Sequence, residues 1–433
     1  MINYKISNFQ YIFIKEINIF RAGLFILPSA PVIAVLLIII SLLINSFKIK
    51  ASYFKNKSNF LILITGILML TSSIFQTFFI NNSYSEELNK ISSWIGLFNW
   101  IPLFWIFCSS QEFLKSKEDR KCTSLILCLS TIPVIFSGIG QTFFNWHGPL
   151  EFLNGVIIWY QRPIDAISGL TAQFNHANYA GSWFTFILPL CIAQSFNQTS
   201  DKNKKYFLRF ILAGIISCIF LTNSRNAWGS SILSIPLVLG TSSLQWFLPC
   251  LLFTFTLILV TTQNFFQSGI QTFLREIIPN KAWQEFTYEG FQNLDVTRLE
   301  ILQEAFKVII KNPIFGTGAA SFTIIYQLEK GFWKGHSHNI LTELSISYGI
   351  PCTVILFYFI SRILVTSFHN IYIKDKKNIF DRSIWTAVII FLLSQQIDIQ
   401  YFDGRISLVF WILLAGLKCI NDENSSIIKN AKI

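Results

Sequence analysis

Two histidines in the segment 336–339, whose sequence is His-Ser-His-Asn, stand directly before a long apolar run. Imidazole exchanges a proton near neutral pH, so it serves as a general base or orients an acceptor group. Near a helix N-terminus the dipole disfavours the imidazolium and keeps the ring neutral, as a base requires. A pair that only caps the helix is one alternative. A metal site is another, but no third ligand stands at a suitable spacing, so no metal is predicted.

Two arginines have the chemistry to hold phosphate. Arg225 lies in the short turn 222–226 between two apolar segments, where a guanidinium is costly without an anionic partner. Arg298 lies in the segment 297–300, whose Thr and Glu spacing is that of a capping box. It therefore falls on the first turn of a helix, where free backbone N–H groups favour an anion. A snorkelling arginine and a solvated charge at a helix end are the ordinary alternatives.

The composition indicates an integral membrane protein. Hydrophobic residues are 52% of the 433 residues and charged residues 13%, about half the share in soluble domains. The net charge of +11 comes from short basic clusters between apolar runs, which is the pattern of cytoplasmic anchoring and argues against nucleic acid as a partner. The 8 cysteines lie in or beside apolar runs without a CxxC pair, so we expect buried free thiols. We expect the first apolar run to be an anchor, because further apolar runs follow it.

Twelve apolar segments approach the length of about 20 residues that a membrane span needs. They are 10–28, 31–47, 60–80, 92–112, 122–140, 177–196, 207–222, 226–240, 244–262, 339–366, 383–399 and 405–420. The positive-inside rule assigns four basic clusters to the cytoplasm. These clusters are 48–57, 115–121, 202–209 and 374–382. The segment 10–28 carries three charges, but an N-terminus inside requires it to cross, so we predict twelve crossings, with eleven as the alternative.

This threading predicts an all-α fold with one large helical loop outside. We divide the chain into a first part of the membrane bundle at 1–262, the large outer loop at 263–338 and a second part of the bundle at 339–433. In the loop, apolar residues recur at helical spacing until Pro313 ends the run. These residues are Leu299, Leu302, Phe306, Ile309 and Ile310. Without a Walker loop, a dinucleotide fingerprint or a GxSxG elbow, no nucleotide cofactor is expected, and a lipid-linked diphosphate donor suits the outward-facing arginines and histidines.

Four blocks resemble the O-antigen ligase/polymerase family of bacterial inner-membrane glycosyltransferases. The segment 171–180 resembles the family's G-x-F-x-N-x-N block, and 224–226 resembles its T-x-S-R turn. Residues 297–318 resemble its R…P-x-x-G-x-G loop helix, and 336–349 its H-x-H-N-x-x-L…E…G block. The resemblance covers roughly residues 165–350.

The resemblance implies a GT-C-like bundle that transfers a glycan, without metal and with inversion, on the periplasmic side of the inner membrane. The implied donor is an undecaprenyl-diphosphate-linked glycan, and the implied acceptor is a sugar hydroxyl of lipid A–core or of another glycan. Membrane lipid surrounds the bundle as a further partner. Arg225 and Arg298 would hold the donor diphosphate, and His338 would orient or deprotonate the acceptor hydroxyl. The residues implied to bind or line the substrate cavity are Asn178, His176, His336 and Asn339.

A ligase-type reaction is our first interpretation, because the His-Ser-His-Asn block precedes the last membrane bundle. A polysaccharide polymerase of the same family is the alternative, since polymerases share this block. A secondary transporter is the alternative from another class, but it should carry charges within its spans and broken helices near the midplane. A scaffold would not need arginine and histidine at three outer helix ends.

Overall fold

The computed structural model describes residues 15–49, 59–79, 90–164, 169–197, 201–262, 269–277, 296–374 and 378–430. These residues are predominantly helical, which confirms the helical class. One short antiparallel hairpin departs from it, with β1 (Leu150–Phe152) paired to β2 (Ile157–Trp159). The hairpin lies in the connection between two helices, where the hydropathy pattern carried no strand signal.

The described helices of the first half range from 8 to 20 residues in length. They are α1 (Glu16–Ile26), α2 (Pro31–Ile49), α3 (Phe60–Phe78), α4 (Lys90–Leu97), α5 (Ile101–Ser110), α6 (Lys117–Ser130), α7 (Ile132–Phe143), α8 (Ala177–Ser195) and α9 (Lys202–Leu221). The second half continues with α10 (Arg225–Leu239), α11 (Leu244–Thr262), α12 (Gly269–Ile277), α13 (Arg298–Lys311), α14 (Ser321–Lys330), α15 (Ile340–Tyr348), α16 (Ile350–Phe368), α17 (Ile379–Ser394) and α18 (Gly404–Asn430).

Six helical stretches in the described residues are long and apolar enough to cross a membrane. They are Phe60–Phe78, Ile91–Leu114, Lys117–Phe143, Leu244–Thr262, Ile350–Lys374 and Gly404–Asn424. Several other predicted spans are helical but short: α1 has 11 residues, α10 has 15 and α17 has 16. The number of twelve crossings stays a prediction, and part of its first segment lies outside the described residues.

The predicted span 339–366 is divided into two helices. Gly349 adopts φ +85°, and the carbonyl of Ile314 crowds the place where a Cβ would stand. The amide of Ile350 also donates to the carbonyl of Pro313 at 2.8 Å. The chain therefore breaks at Gly349, and α15 becomes a separate helix whose N-terminus carries the histidine block.

The middle of the bundle is formed by α8 and α18, and α17 packs against both. The side chains of Trp183, Phe184 and Trp411 in these helices are fully buried. Polar residues interrupt α8 without exposing it, because other helices cover it on all sides. The cysteines are free thiols as expected, and six are buried, although Cys250 on α11 is exposed.

A buried ion network joins α6, α17 and α18. Arg120 of α6 donates to both carboxylate oxygens of Asp381 at 3.0 and 3.1 Å and to Glu423 at 3.1 Å. It also donates to the carbonyls of Leu114 and Lys115. Asp381 lies in the first turn of α17, so this network fixes one end of the helix whose other end leads to Asp398.

Two loop helices, α13 and α14, pack on α15. Their buried contact is a separate apolar cluster comprising Ile301, Ala305, Val308, Ile309, Phe322, Ile325, Tyr326 and Ile346. The amide of Thr317 donates to the carbonyl of Ile346 at 2.6 Å and ties the segment between them to α15. The described parts of the predicted loop thus contain three helices, α12, α13 and α14, and its second half is held against the bundle.

Candidate functional site

The site is centred on Asp398, in the loop that follows α17. Its Oδ1 lies 2.8 Å from Nδ1 of His338. Its Oδ2 accepts hydrogen bonds from Asn178 of α8 and from Gln400, both at 2.8 Å. Asp398 is only 6% exposed, so this carboxylate is buried among its donors. The fold therefore brings two predicted site residues, His338 and Asn178, to one carboxylate.

The Asp398 carboxylate determines which nitrogen of His338 carries the proton. An ionised carboxylate only accepts hydrogen bonds, so Nδ1 of His338 must be the donor. Hydrogen bonds from His338, Asn178 and Gln400 stabilise the ionised form of the buried Asp398 carboxylate. The Nε2 atom of neutral His338 then keeps its lone pair. With its side chain 27% exposed, His338 can accept a proton from a bound hydroxyl.

The turn that carries His338 has a conformation unusual for its residue type. His338 has φ +57°, in the left-handed region, and neighbouring bonds hold it there. The amide and hydroxyl of Ser337 both donate to Oε2 of Glu343 at 2.9 Å. Asn339 caps α15 by accepting from the amide of Leu341 at 2.9 Å, and its amide group donates to Gln396. The turn is therefore fixed to both α15 and the loop after α17.

His336 supports this turn from the other side. Its Nδ1 accepts from the amide of His338 at 3.2 Å, so the proton of its neutral ring is on Nε2. That Nε2 lies 3.8 Å from Oδ1 of Asp398. Burial, opposed by Asp398 and assisted by nearby cations, lowers the pKa of His336 to about 4. His336 is therefore neutral at physiological pH.

The fold also supplies the third potential metal ligand that the sequence spacing did not. Ligand atoms of His336, His338 and Asp398 all lie within 4.8 Å of one another. The argument from spacing that a third ligand is missing is therefore wrong, because Asp398 arrives from a distant segment. Two imidazoles and a carboxylate are ligand types that divalent transition metals accept. The expectation of a metal-free site is a separate matter and stays a prediction.

The start of α8 contributes His176 and Asn178. His176 is the N-cap, and its Nδ1 accepts from the amide of Asn178 at 3.1 Å. Asn178 lines a polar cavity of only about 10 Å³, room for roughly one water molecule, together with Asn226, Ser394 and Gln400. Gln400, which donates to the same carboxylate oxygen of Asp398 as Asn178 does, also lines this cavity. That Asn178 lines the substrate cavity stays a prediction.

The two arginines each begin a helix. Arg298 is the first residue of α13, and the predicted capping box is present between Thr297 and Glu300. Arg298 is exposed, and its charge contributes to the lowered pKa of His336. Arg225 is the first residue of α10 and is also exposed. The residue after it, Asn226, lines the cavity shared with Asn178.

Sequence reasoning missed Asp398 and Gln400, and it missed the role of Glu343 in holding Ser337. A signal for Asp398 was present, since it is an acidic residue at the end of the apolar segment 383–399. An ionisable residue in such a segment is a candidate functional residue by default. The polar run 394–400, Ser-Gln-Gln-Ile-Asp-Ile-Gln, marks the same place.

Comparison with known proteins relates one part of the chain to a family. Residues 210–357 match the family model described as O-Antigen ligase. No curated protein matches the chain. The match includes both arginines and the histidine block, and it confirms the family resemblance over three of the four sequence blocks. The block at 171–180 lies outside it. Asn178 and Asp398 lie on either side of the matched segment.

Proposed function

We propose, from the O-antigen ligase match over residues 210–357, that this membrane protein is a glycosyltransferase that moves a glycan from a lipid diphosphate to an acceptor hydroxyl. The observation that carries the proposal is the His338–Asp398 pair at 2.8 Å. A carboxylate that orients an imidazole and stabilises its protonated form is the arrangement of a general base.

In the proposed reaction, Nε2 of His338 removes the proton of the acceptor hydroxyl. The oxygen attacks the anomeric carbon of the donor glycan as the bond between that carbon and the diphosphate oxygen breaks. The diphosphate leaves with the electron pair, and attack from the opposite side inverts the anomeric configuration. Asp398 stabilises the imidazolium, and Arg298 and Arg225 offset the charge that grows on the diphosphate. The released lipid diphosphate or water then takes the proton from His338.

We assign the donor to undecaprenyl-diphosphate-linked glycan and the acceptor to lipid A–core, on the periplasmic side of the inner membrane. The side follows from the positive-inside rule, because the basic clusters and the histidine block fall on opposite sides of the predicted threading. The position of the histidine block and the description of the matching family as O-Antigen ligase support this acceptor. A polymerase, whose acceptor is a second lipid-linked glycan, would use the same residues.

The test is transfer by the purified protein from undecaprenyl-diphosphate glycan to lipid A–core, in the presence of EDTA and without nucleotide. His338→Ala and Arg298→Ala should each lower the rate by about 100-fold or more, because each removes a group that acts in the transition state. His369→Ala and Arg209→Ala are matched controls outside the site and should retain transfer.

The outcomes separate the alternatives. Products that are only longer lipid-linked chains would identify a polymerase. Activity that EDTA abolishes and a divalent cation restores would assign the three clustered ligands to a metal. The enzyme proposal fails if no donor gives transfer while cells with His338→Ala and Arg298→Ala still make normal surface glycan.

A further inference from the structure

A second cavity, of about 300 Å³, lies beside the histidine turn. Its walls come from α4, from the segment before α14, from α15 and from the loop after α17. Gly335 at its rim precedes the histidine block, and Phe402 belongs to the same loop as Asp398. Glu343 in its lining accepts two hydrogen bonds from Ser337, the residue before His338, so the cavity adjoins the histidine turn but is lined by different residues.

Two of the residues that line this cavity carry buried polar groups. The hydroxyl of Tyr348 has no hydrogen-bond partner, although the side chain is only 2% exposed. It lies next to Gly96, another wall residue, where the absence of a side chain leaves room. A buried hydroxyl without a partner is uncommon and calls for a ligand or water. The second group is Glu343, 5% exposed, whose Oε2 already receives both bonds from Ser337.

The charge of the described walls argues against a diphosphate. Among the residues that the structure describes, the cavity lining includes the carboxyl group of Glu343 but no lysine, arginine or histidine. A hydrocarbon chain is also a poor occupant, because it would leave the Tyr348 hydroxyl unsatisfied. The polar groups are accompanied by the aromatic walls Trp100 and Phe402. Aromatic faces with a few convergent polar groups suit a sugar ring, which has apolar C–H faces and hydroxyl edges.

We propose that this cavity binds a glycosyl unit of the acceptor, with the Tyr348 hydroxyl as a specific hydrogen-bonding group. The proposal rests on the proposed function and adds that the acceptor, not the donor, occupies this cavity. Glu343 holds Ser337, the residue before His338, so a sugar beside Glu343 presents its neighbouring hydroxyl to the histidine turn. The donor diphosphate belongs instead with the exposed arginines, which do not line this cavity.

The test compares Tyr348→Phe with the wild type in steady-state kinetics. The substitution removes one hydroxyl and keeps the ring. Tyr326→Phe is the matched control, because Tyr326 is a buried tyrosine of α14 that does not line the cavity. Loss of one neutral hydrogen bond should raise the acceptor KM about threefold to tenfold, with kcat and the donor KM unchanged. Ser92→Leu, which adds bulk to the cavity wall, should raise the acceptor KM further.

A binding measurement separates this proposal from the proposed function. The full-length protein in nanodiscs is titrated with two lipid-free probes, the core oligosaccharide and the repeat-unit oligosaccharide. We expect one probe to bind and its Kd to rise about threefold to tenfold in Tyr348→Phe. If wild-type transfer fails but this difference in binding is seen, only the proposed reaction is overturned. The cavity assignment is overturned if neither probe binds, if Tyr348→Phe binds like the wild type, or if the donor KM changes instead.

Discussion

At the scale of single residues, Asp398 is the group on which the proposed base depends. Asp398→Asn keeps the size but removes the charge. If the amide group faces Asn178 and Gln400, donors meet donors, and if it faces His338, the imidazole proton is forced onto the wrong nitrogen. We therefore expect kcat to fall by about 10²- to 10⁴-fold, measured as initial rates of glycan transfer at saturating substrates.

The control for this substitution is Asp201→Asn, an exposed aspartate at the start of α9. It should leave kcat unchanged. Thermal unfolding of both variants shows whether the fold is retained. A kcat for Asp398→Asn within about twofold of the wild type would contradict the assignment of His338 and Asp398 as a base pair.

His336 gives the site a defined dependence of stability on pH. Burial lowers its pKa to about 4, while the unfolded chain has the ordinary value of 6.5. As the pH falls below 6.5, the unfolded chain binds a proton that the folded protein accepts only near pH 4. The folded state therefore loses stability between these values. The melting temperature of the wild type should fall from pH 7.5 to 5.0 by more than that of His336→Gln, and equal falls would contradict this account.

The residue types of the site could be read from the sequence, but their convergence could not. His338 and Asn178 were selected from their motifs, and the fold brings both to Asp398. Asp398 itself stands 60 residues beyond His338, so no local spacing connects them. A carboxylate partner for a histidine is found only once the ends of α8, α15 and α17 are known to meet.

At the scale of elements, α13 positions Arg298 through its capping box. Thr297→Ala removes the side chain that accepts from the amide of Glu300, which costs a helix about 0.5–2 kcal/mol. Fraying of the first turn would let Arg298 leave its position. We expect the donor KM to rise by up to about tenfold with the acceptor KM unchanged. Lys307→Ala, on the exposed side of the same helix, is the control. An unchanged donor KM in Thr297→Ala would contradict the assignment of Arg298 to donor binding.

The same helix shows how far a periodic pattern can be interpreted. The apolar spacing and Pro313 predicted α13, and the structure confirms a helix there. Of the residues that gave the pattern, Ile309 is buried, but Phe306 and Ile310 are 50% and 75% exposed. The stripe that packs on α14 and α15 is instead centred on Ala305 and Val308. The sequence contains two apolar stripes, and only the position of the partner helices decides which one is buried.

At the scale of the molecule, hydropathy separates lipid-facing helices from the rest better than it counts crossings. The spans α3 and α11 are apolar and largely exposed, as lipid contact requires. The central helix α8 is almost entirely buried and contains polar side chains along its length. A helix that is surrounded by protein can carry Asn178 and Gln194 at little cost, because other helices satisfy them. Hydropathy alone therefore cannot distinguish a buried polar span from a helix that does not cross.

The network around Arg120 holds the start of α17, the helix whose other end leads to Asp398. Arg120 is fully buried, and Asp381 is 4% exposed, at the start of α17. The 16 residues of α17 are roughly 24 Å long and end shortly before Asp398. Arg120→Met removes the cation and leaves Asp381 buried with an uncompensated charge, which typically costs about 3–5 kcal/mol. We expect a clear fall in the melting temperature of the protein in nanodiscs.

The double variant Arg120→Met, Asp381→Asn distinguishes a charge effect from a packing effect. It removes both buried charges, while Glu423, at 34% side-chain exposure, can be solvated. Replacing both partners of a buried ion pair is often nearly neutral, so the double variant should recover most of the lost melting temperature. Because the network touches no proposed substrate group, kcat measured well below the melting temperature should stay near that of the wild type. A double variant as unstable as Arg120→Met would show that the guanidinium acts through its bonds to the carbonyls of Leu114 and Lys115.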